Sequence, residues 1–277
     1  MRRILVPTDF SENAQAAFLY ALELAEQLQA SVSVVHVYHP SAHHINEWMV
    51  TSDEELVKLS NEKLEKFVQS NFSKSMEDVV VADMIDQQLV PGFAAETLVN
   101  LSQSGDYDLI VMGSTGSSGF LEKVFGKVSS YVSQHSACPV LLIPNGTEFQ
   151  DINNIMYAGD YESANESVLL QFGDCVSQLN AKIHIVHVHT QDQEGKKDFG
   201  HYLLEKVFMK KAPELQFEMH TIESDTVAHG LQDFADEKEI DWMVIVKAQR
   251  KFWDRLTHKS ATNELIRTPN VPILVLH

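Results

Sequence analysis

The run Gly113-Ser114-Thr115-Gly116-Ser117-Ser118-Gly119, answered by Gly126 further on, is where residue types and spacing could do chemistry. Glycines let backbone N–H groups close on an anion, hydroxyls donate to it, and a helix start adds partial positive charge. The chemistry this suggests is phosphate binding. Taken alone, such a loop reads equally well as a flexible surface connection. Gly126-Lys127 hints at a Walker A loop, but that motif needs a glycine where Leu121 stands and a serine or threonine where Val128 stands. It is not a P-loop.

Other candidates are weaker. Among 13 histidines, His187 and His189 share one face of an apolar segment by period-2 alternation, with His184 nearby. No acidic or cysteine partner stands at a fitting spacing, so these histidines read as structural and no structural metal is expected. No nucleophile elbow or paired-carboxylate motif is visible, and nothing positions a water or a base. The expectation from these residues is a non-enzyme.

The elements that must hold the glycine loop alternate strand and helix. In the first half, residues 4–7, 32–37, 79–85, 108–113 and 140–143 read as strands, dense in β-branched or apolar residues. Residues 11–29, 54–72, 92–102 and 124–135 carry helical periodicity, with Ser11 placed as an N-cap. The second half repeats this with strands at 155–158, 183–188, 215–222, 242–247 and 273–276. Its helices fall at 163–179, 200–211, 226–238 and 260–267.

Strands joined by helices imply right-handed crossovers and a parallel, doubly wound α/β sheet, five strands per half. This is a Rossmann-like or flavodoxin-like arrangement. With strand order 3-2-1-4-5, a ligand crevice opens beyond the carboxyl ends of strands one and four. Strand one exits into Pro7-Thr8-Asp9, and strand four exits into the glycine loop. That placement makes the loop more specific than it is alone.

The halves are a duplication. Arg3-Ile-Leu-Val-Pro-Thr-Asp9 returns as Asn154-Ile-Met-Tyr-Ala-Gly-Asp160, and Val34-Val-His-Val37 returns as Ile185-Val-His-Val188, both at an offset of 151. Cys138-Pro-Val-Leu-Leu-Ile143 returns as Val271-Pro-Ile-Leu-Val-Leu276 at an offset of 133, so the second copy is shorter after its second strand. Pro144-Asn-Gly-Thr breaks the pattern, which assigns 1–146 and 151–277 to the two domains.

Bulk properties exclude several classes. A net charge of −18 repels nucleic-acid phosphates and anionic lipid, so neither nucleic acid nor membrane is an expected partner. No apolar run approaches the roughly 18 residues of a spanning helix. The apolar stretch near Met1 is too short for a signal peptide, so a cytoplasmic location is expected. The two cysteines, Cys138 and Cys175, form no disulfide framework.

Gly113-x2-Gly116-x9-Gly126, followed by Val128-Ser129-Ser130 and preceded by a first strand ending at Asp9, resembles the nucleotide-binding branch of the universal stress protein family. The resemblance covers both halves. It implies a stress-response protein holding ATP, with or without magnesium, or a related adenine nucleotide, as a regulatory ligand in its first domain, and at most a slow ATPase. Asp9 and the backbone near Val37 would hold adenine and ribose, with Pro7 and Thr8 shaping that wall. Gly113, Ser114, Gly116 and Gly126 would admit the phosphates, and Ser129 would donate to them. Lys127 and Val128 follow Gly126; Lys127 departs from the family's serine or threonine, and either pairs with a phosphate or obstructs it.

The second half lacks the glycines, reading Lys247-Ala-Gln-Arg250-Lys-Phe-Trp253 with Lys259 in place of Gly126, and is expected to be a degenerate copy. The resemblance also implies that the two halves pair through their closing strands, mimicking a dimer, and leaves a separate homodimer open. The alternative is a protein–protein interaction scaffold in which neither half binds nucleotide.

Overall fold

The computed structural model describes residues 3–40, 53–75, 85–114, 126–158, 166–190, 216–246 and 271–277. The chain divides into two compact units, with the division between Phe149 and Gln150; a short stretch, Glu122–Phe125, falls outside the described residues. Each unit is an α/β layer built on five parallel strands.

In the first unit the strands are β1 (Arg3–Pro7), β2 (Ser31–Tyr38), β3 (Ile85–Pro91), β4 (Leu109–Gly113) and β5 (Val140–Ile143). Their order is β3-β2-β1-β4-β5, all neighbours parallel. The winding reverses between β1 and β4, as strand order 3-2-1-4-5 requires. Ile4, Leu5 and Val6 have no exposed surface, nor do Leu109, Ile110 and Val111. Helices cover both faces of such strands, which is why they read as apolar runs rather than alternations.

Four helices surround this sheet: α1 (Glu12–Leu28), α2 (Asp53–Ser75), α3 (Ala94–Gln103) and α4 (Lys127–His135). The start of α1 is set by Ser11, whose Oγ accepts from the Ala14 amide at 3.2 Å. A serine cap of this kind is worth about 1 kcal/mol. Ala17, Phe18, Ala21, Leu22 and Leu24 turn its apolar stripe onto the sheet.

The third strand differs from expectation. It runs Ile85–Pro91, whereas the apolar run after Val79 suggested 79–85; residues 76–84 lie outside the described residues. As an edge strand, β3 is half-exposed and carries Asp86, Gln87 and Gln88, so its signal is weak.

The second unit repeats the plan with β6 (Asn154–Ala158), β7 (Lys182–His189), β8 (Phe217–Glu223), β9 (Trp242–Val246) and β10 (Ile273–Leu276). Its order is β8-β7-β6-β9-β10, again parallel. The helices described are α5 (Glu166–Val176) and α6 (Val227–Glu237), the latter capped by Thr226 Oγ1 on the His229 amide at 3.2 Å. The helices expected at 200–211 and 260–267 lie outside the described residues. The aspartates before β4 and β9 have equivalent jobs: Asp108 accepts from the Arg3 amide at 3.0 Å, and Asp241 from the Asn154 amide at 2.8 Å. Among the described residues no helix is long and apolar enough to cross a membrane.

Candidate functional site

At the carboxyl ends of β1 and β4 the first unit opens a cleft of about 350 Å³. Pro7, Thr8 and Asp9 form one wall as they leave β1, and Val37 follows on β2. Gly113 closes β4, while Gly126, Lys127, Val128 and Ser129 approach as the start of α4. Nine of the sequence-derived site residues thus face one cavity. Ser114 stands just behind them: it is buried, and its amide donates to the Ile143 carbonyl at 2.8 Å. Gly116 lies outside the described residues.

The β1 exit is shaped by short-range hydrogen bonds. The Thr8 amide extends the ladder to the Val35 carbonyl at 2.9 Å, and Thr8 Oγ1 accepts from the Phe10 amide at 3.0 Å. Asp9 Oδ1 accepts from the Ser11 amide at 3.0 Å. These bonds hold Phe10 at φ 65°, a left-handed conformation that a bulky residue seldom adopts. The result is a sharp turn that presents the exposed Asp9 at the cleft and starts α1.

Two of these residues also have structural contacts that their sequence roles did not include. Gly113 was expected to admit phosphates. A Cβ there would stand 2.9 Å from the Asn13 carbonyl oxygen, so the missing side chain lets α1 pack against the end of β4. Ser129 was expected to donate to a phosphate, but its one hydroxyl proton is committed: Oγ donates to the Ser114 carbonyl at 2.6 Å, with the Gly126 carbonyl at 3.1 Å. Ser129 is a tie between α4 and the strand end. The Gly126 amide strengthens that tie, donating to the same Ser114 carbonyl at 2.7 Å.

The electrostatics of the α4 start are unusual for a helix. Gly126 caps it with no side-chain acceptor, and no acidic residue lies in its first turn. The amides of Lys127, Val128 and Ser129 have, by position, no intrahelical acceptor. Lys127 adds a positive charge at the positive end of the helix dipole, an unfavourable placement unless an anion sits there.

Sequence reasoning passed over His36. Its Nδ1–H donates to the Thr8 carbonyl at 2.8 Å, fixing the tautomer, and its ring packs on Phe10 with centroids 4.3 Å apart. Burial pushes its pKa below the ordinary histidine value; the Thr8 carbonyl and Asp9 partly offset this, and Lys63 adds to it. The only signal was its recurrence as His187. His36 and Val37 also edge a neighbouring hollow of about 400 Å³ that reaches Leu56, Leu59 and Lys63 of α2. The apolar wall of Ala94, Leu98 and Met112 likewise carried no motif.

The family model described as the universal stress protein family matches residues 1–144 and again 152–277. The chain belongs to the universal stress protein family. It is 23% identical to the universal stress protein Slr1230 of Synechocystis, over 99% of each chain. The universal stress protein YxiE of Bacillus subtilis is 31% identical, matching 51% of this chain and 97% of its own length. A universal stress protein structure from Archaeoglobus fulgidus superposes with a TM-score of 0.70 at 20% identity, covering 99% of this chain and 97% of that one. The last likeness shows the fold.

Proposed function

We propose that this universal stress protein is a cytoplasmic stress-response protein whose first domain, 1–146, binds ATP or a related adenine nucleotide as a regulatory ligand. The observation that carries the reading is the start of α4: uncapped by any side chain, free of acidic residues, and topped by Lys127, it faces a cleft at the reversal of the sheet winding. That is an anion site by backbone geometry and by charge. Val37, Leu98 and Met112 offer the apolar surface a purine ring needs, and Asp9 can accept from ribose hydroxyls. The volume falls in the usual range for small-ligand clefts, about 300–1,000 Å³. Phosphates are held by α4 amides and Lys127, with magnesium as their counter-ion. The domain 151–277 serves as a structural or regulatory copy.

A second reading has its own support. Gly113 and Ser129, two marks of the nucleotide motif, each have a packing or tethering role that needs no ligand. On that reading the chain is an interaction scaffold of the stress response.

Calorimetric titration of MgATP into the full chain separates the two. Runs at two temperatures keep a vanishing enthalpy from hiding binding. One site per chain, weakened at least tenfold by Lys127→Glu, supports the nucleotide reading. No heat at either temperature, in protein shown to carry no co-purified nucleotide, leaves the scaffold reading.

A further inference from the structure

At the amino ends of the second unit's strands, opposite the end where these sheets take their ligands, three side chains converge on one face. His184 on β7 stands directly across from Glu218 on β8, and His220 follows two residues later on the same strand. His184 Nδ1 and His220 Nε2 are 3.1 Å apart, and Glu218 Oε2 lies 3.8 Å from that His220 nitrogen. All three ligand-type atoms fall within 4.8 Å of one another.

We propose that His184, Glu218 and His220 form a binding site for a divalent transition ion of the zinc class, with water completing the coordination. Two imidazole nitrogens at Zn–N distances of about 2.0–2.1 Å in tetrahedral geometry are separated by about 3.3 Å. The observed pair already has that spacing. Glu218 is exposed and needs only a side-chain rotation to bring its oxygen in. The outer shell agrees: His184 Nε2 faces Asn154 Oδ1 at 3.3 Å and donates to it, leaving the Nδ1 lone pair aimed at the cluster. Phe234 of α6 packs against both rings, at 5.8 Å from His184 and 4.8 Å from His220.

The first unit supports this by contrast. By strand register and the repeat offset, Ser33, Asp86 and Gln88 occupy the positions of His184, Glu218 and His220, with Arg3 at the position of Asn154. There the carboxylate is closed by the protein itself: Asp86 Oδ2 accepts from Arg3 at 2.8 Å, Gln88 at 2.7 Å and Ser33 at 3.1 Å. The second unit keeps the carboxylate, replaces the arginine with asparagine, and brings in two imidazoles. Lys182 holds one oxygen of Glu218 at 2.7 Å, leaving the other turned toward His220.

The test uses the full chain, stripped of metal by a chelator and titrated with Zn(II) against a chromogenic competitor. His220→Gln and the exposed Glu218→Gln, which leaves the fold intact, should each weaken one equivalent of zinc. The loss should exceed the roughly 10- to 100-fold typical of removing an outer-shell partner, which is the loss expected for Asn154→Ala. Lys182→Gln, by freeing Glu218, should tighten binding. Zinc affinities within twofold of wild type in both ligand variants, or no zinc binding by the wild-type chain, would overturn the proposal.

Discussion

The two halves share one framework and differ most at opposite ends of it. At the carboxyl ends of the strands, the first half closes β4 with Gly113, against which the backbone of Asn13 packs; the repeat offset puts the buried Val246 at that position in the second half. At the amino ends the relation inverts. The first half satisfies Asp86 with its own Arg3, while the second assembles two histidines around Glu218. Duplication frees one copy of a constraint at a time: each half keeps the sheet, and a different end of each is available for specialisation.

The largest expected effect comes from carrying the first half's arginine into the second. Asn154→Arg should place a guanidinium against Glu218 and, by filling the cation position, weaken zinc binding by about 100-fold, or about 2.7 kcal/mol. Unchanged zinc affinity would break the comparison at the amino ends. The reverse transfer at the other end is Gly113→Val. Its Cβ meets the Asn13 backbone, so stability should fall by about 2 kcal/mol, the ordinary cost of overpacking, measured by urea denaturation. A variant as stable as wild type would show that the close approach of α1 does not require glycine.

Lys127→Glu sharpens the contrast because two readouts move in opposite directions. A carboxylate at the helix start should stabilise α4 by about 0.5–1 kcal/mol in thermal denaturation while weakening MgATP binding at least tenfold. Concerted loss of stability and binding would mean that Lys127 supports the fold rather than the ligand. Ser129→Ala removes the tie to the Ser114 carbonyl and should cost about 1 kcal/mol.

The smallest effect is on pH dependence. The His36 pKa lies below its unfolded value, so the unfolded chain takes up protons that the folded chain resists. Stability from this group is full above the unfolded pKa of about 6.5 and is lost as pH falls through the window below it. Asp9 and Lys63 face this ring with opposing effects. His36→Gln should therefore show a smaller drop in melting temperature between neutral and mildly acidic pH. An equal drop would assign the acid sensitivity elsewhere.

Much of this organisation was legible in the sequence, and the gaps have physical causes. The duplication and the strand–helix alternation followed from repeat offsets and apolar runs, because buried parallel strands leave strong signals; the strand order 3-2-1-4-5 was assumed for this fold class, and the pairing of the strands bears it out in the first unit. The third strand misled because β3 is a polar edge, while the apolar run after Val79 looked more strand-like. Pro7, Thr8, Asp9 and Gly126 were located by topology, since the winding reversal places strand exits together. His36, Leu98 and Met112 reach the same cleft without any motif. The meaning of Gly113 was hidden because glycine serves both ligand approach and backbone packing. His184 and His220 were harder still: 36 positions separate them, and only the parallel pairing of β7 and β8 brings them into contact.

The most direct test of the central claim is to irradiate the full chain with an azido-substituted ATP and map the labelled peptides. The account predicts competition by ATP and label confined to the first half, on peptides containing Pro7, Thr8 and Asp9 or His36 and Val37. Label on peptides from the second half, or none that ATP displaces, would contradict it.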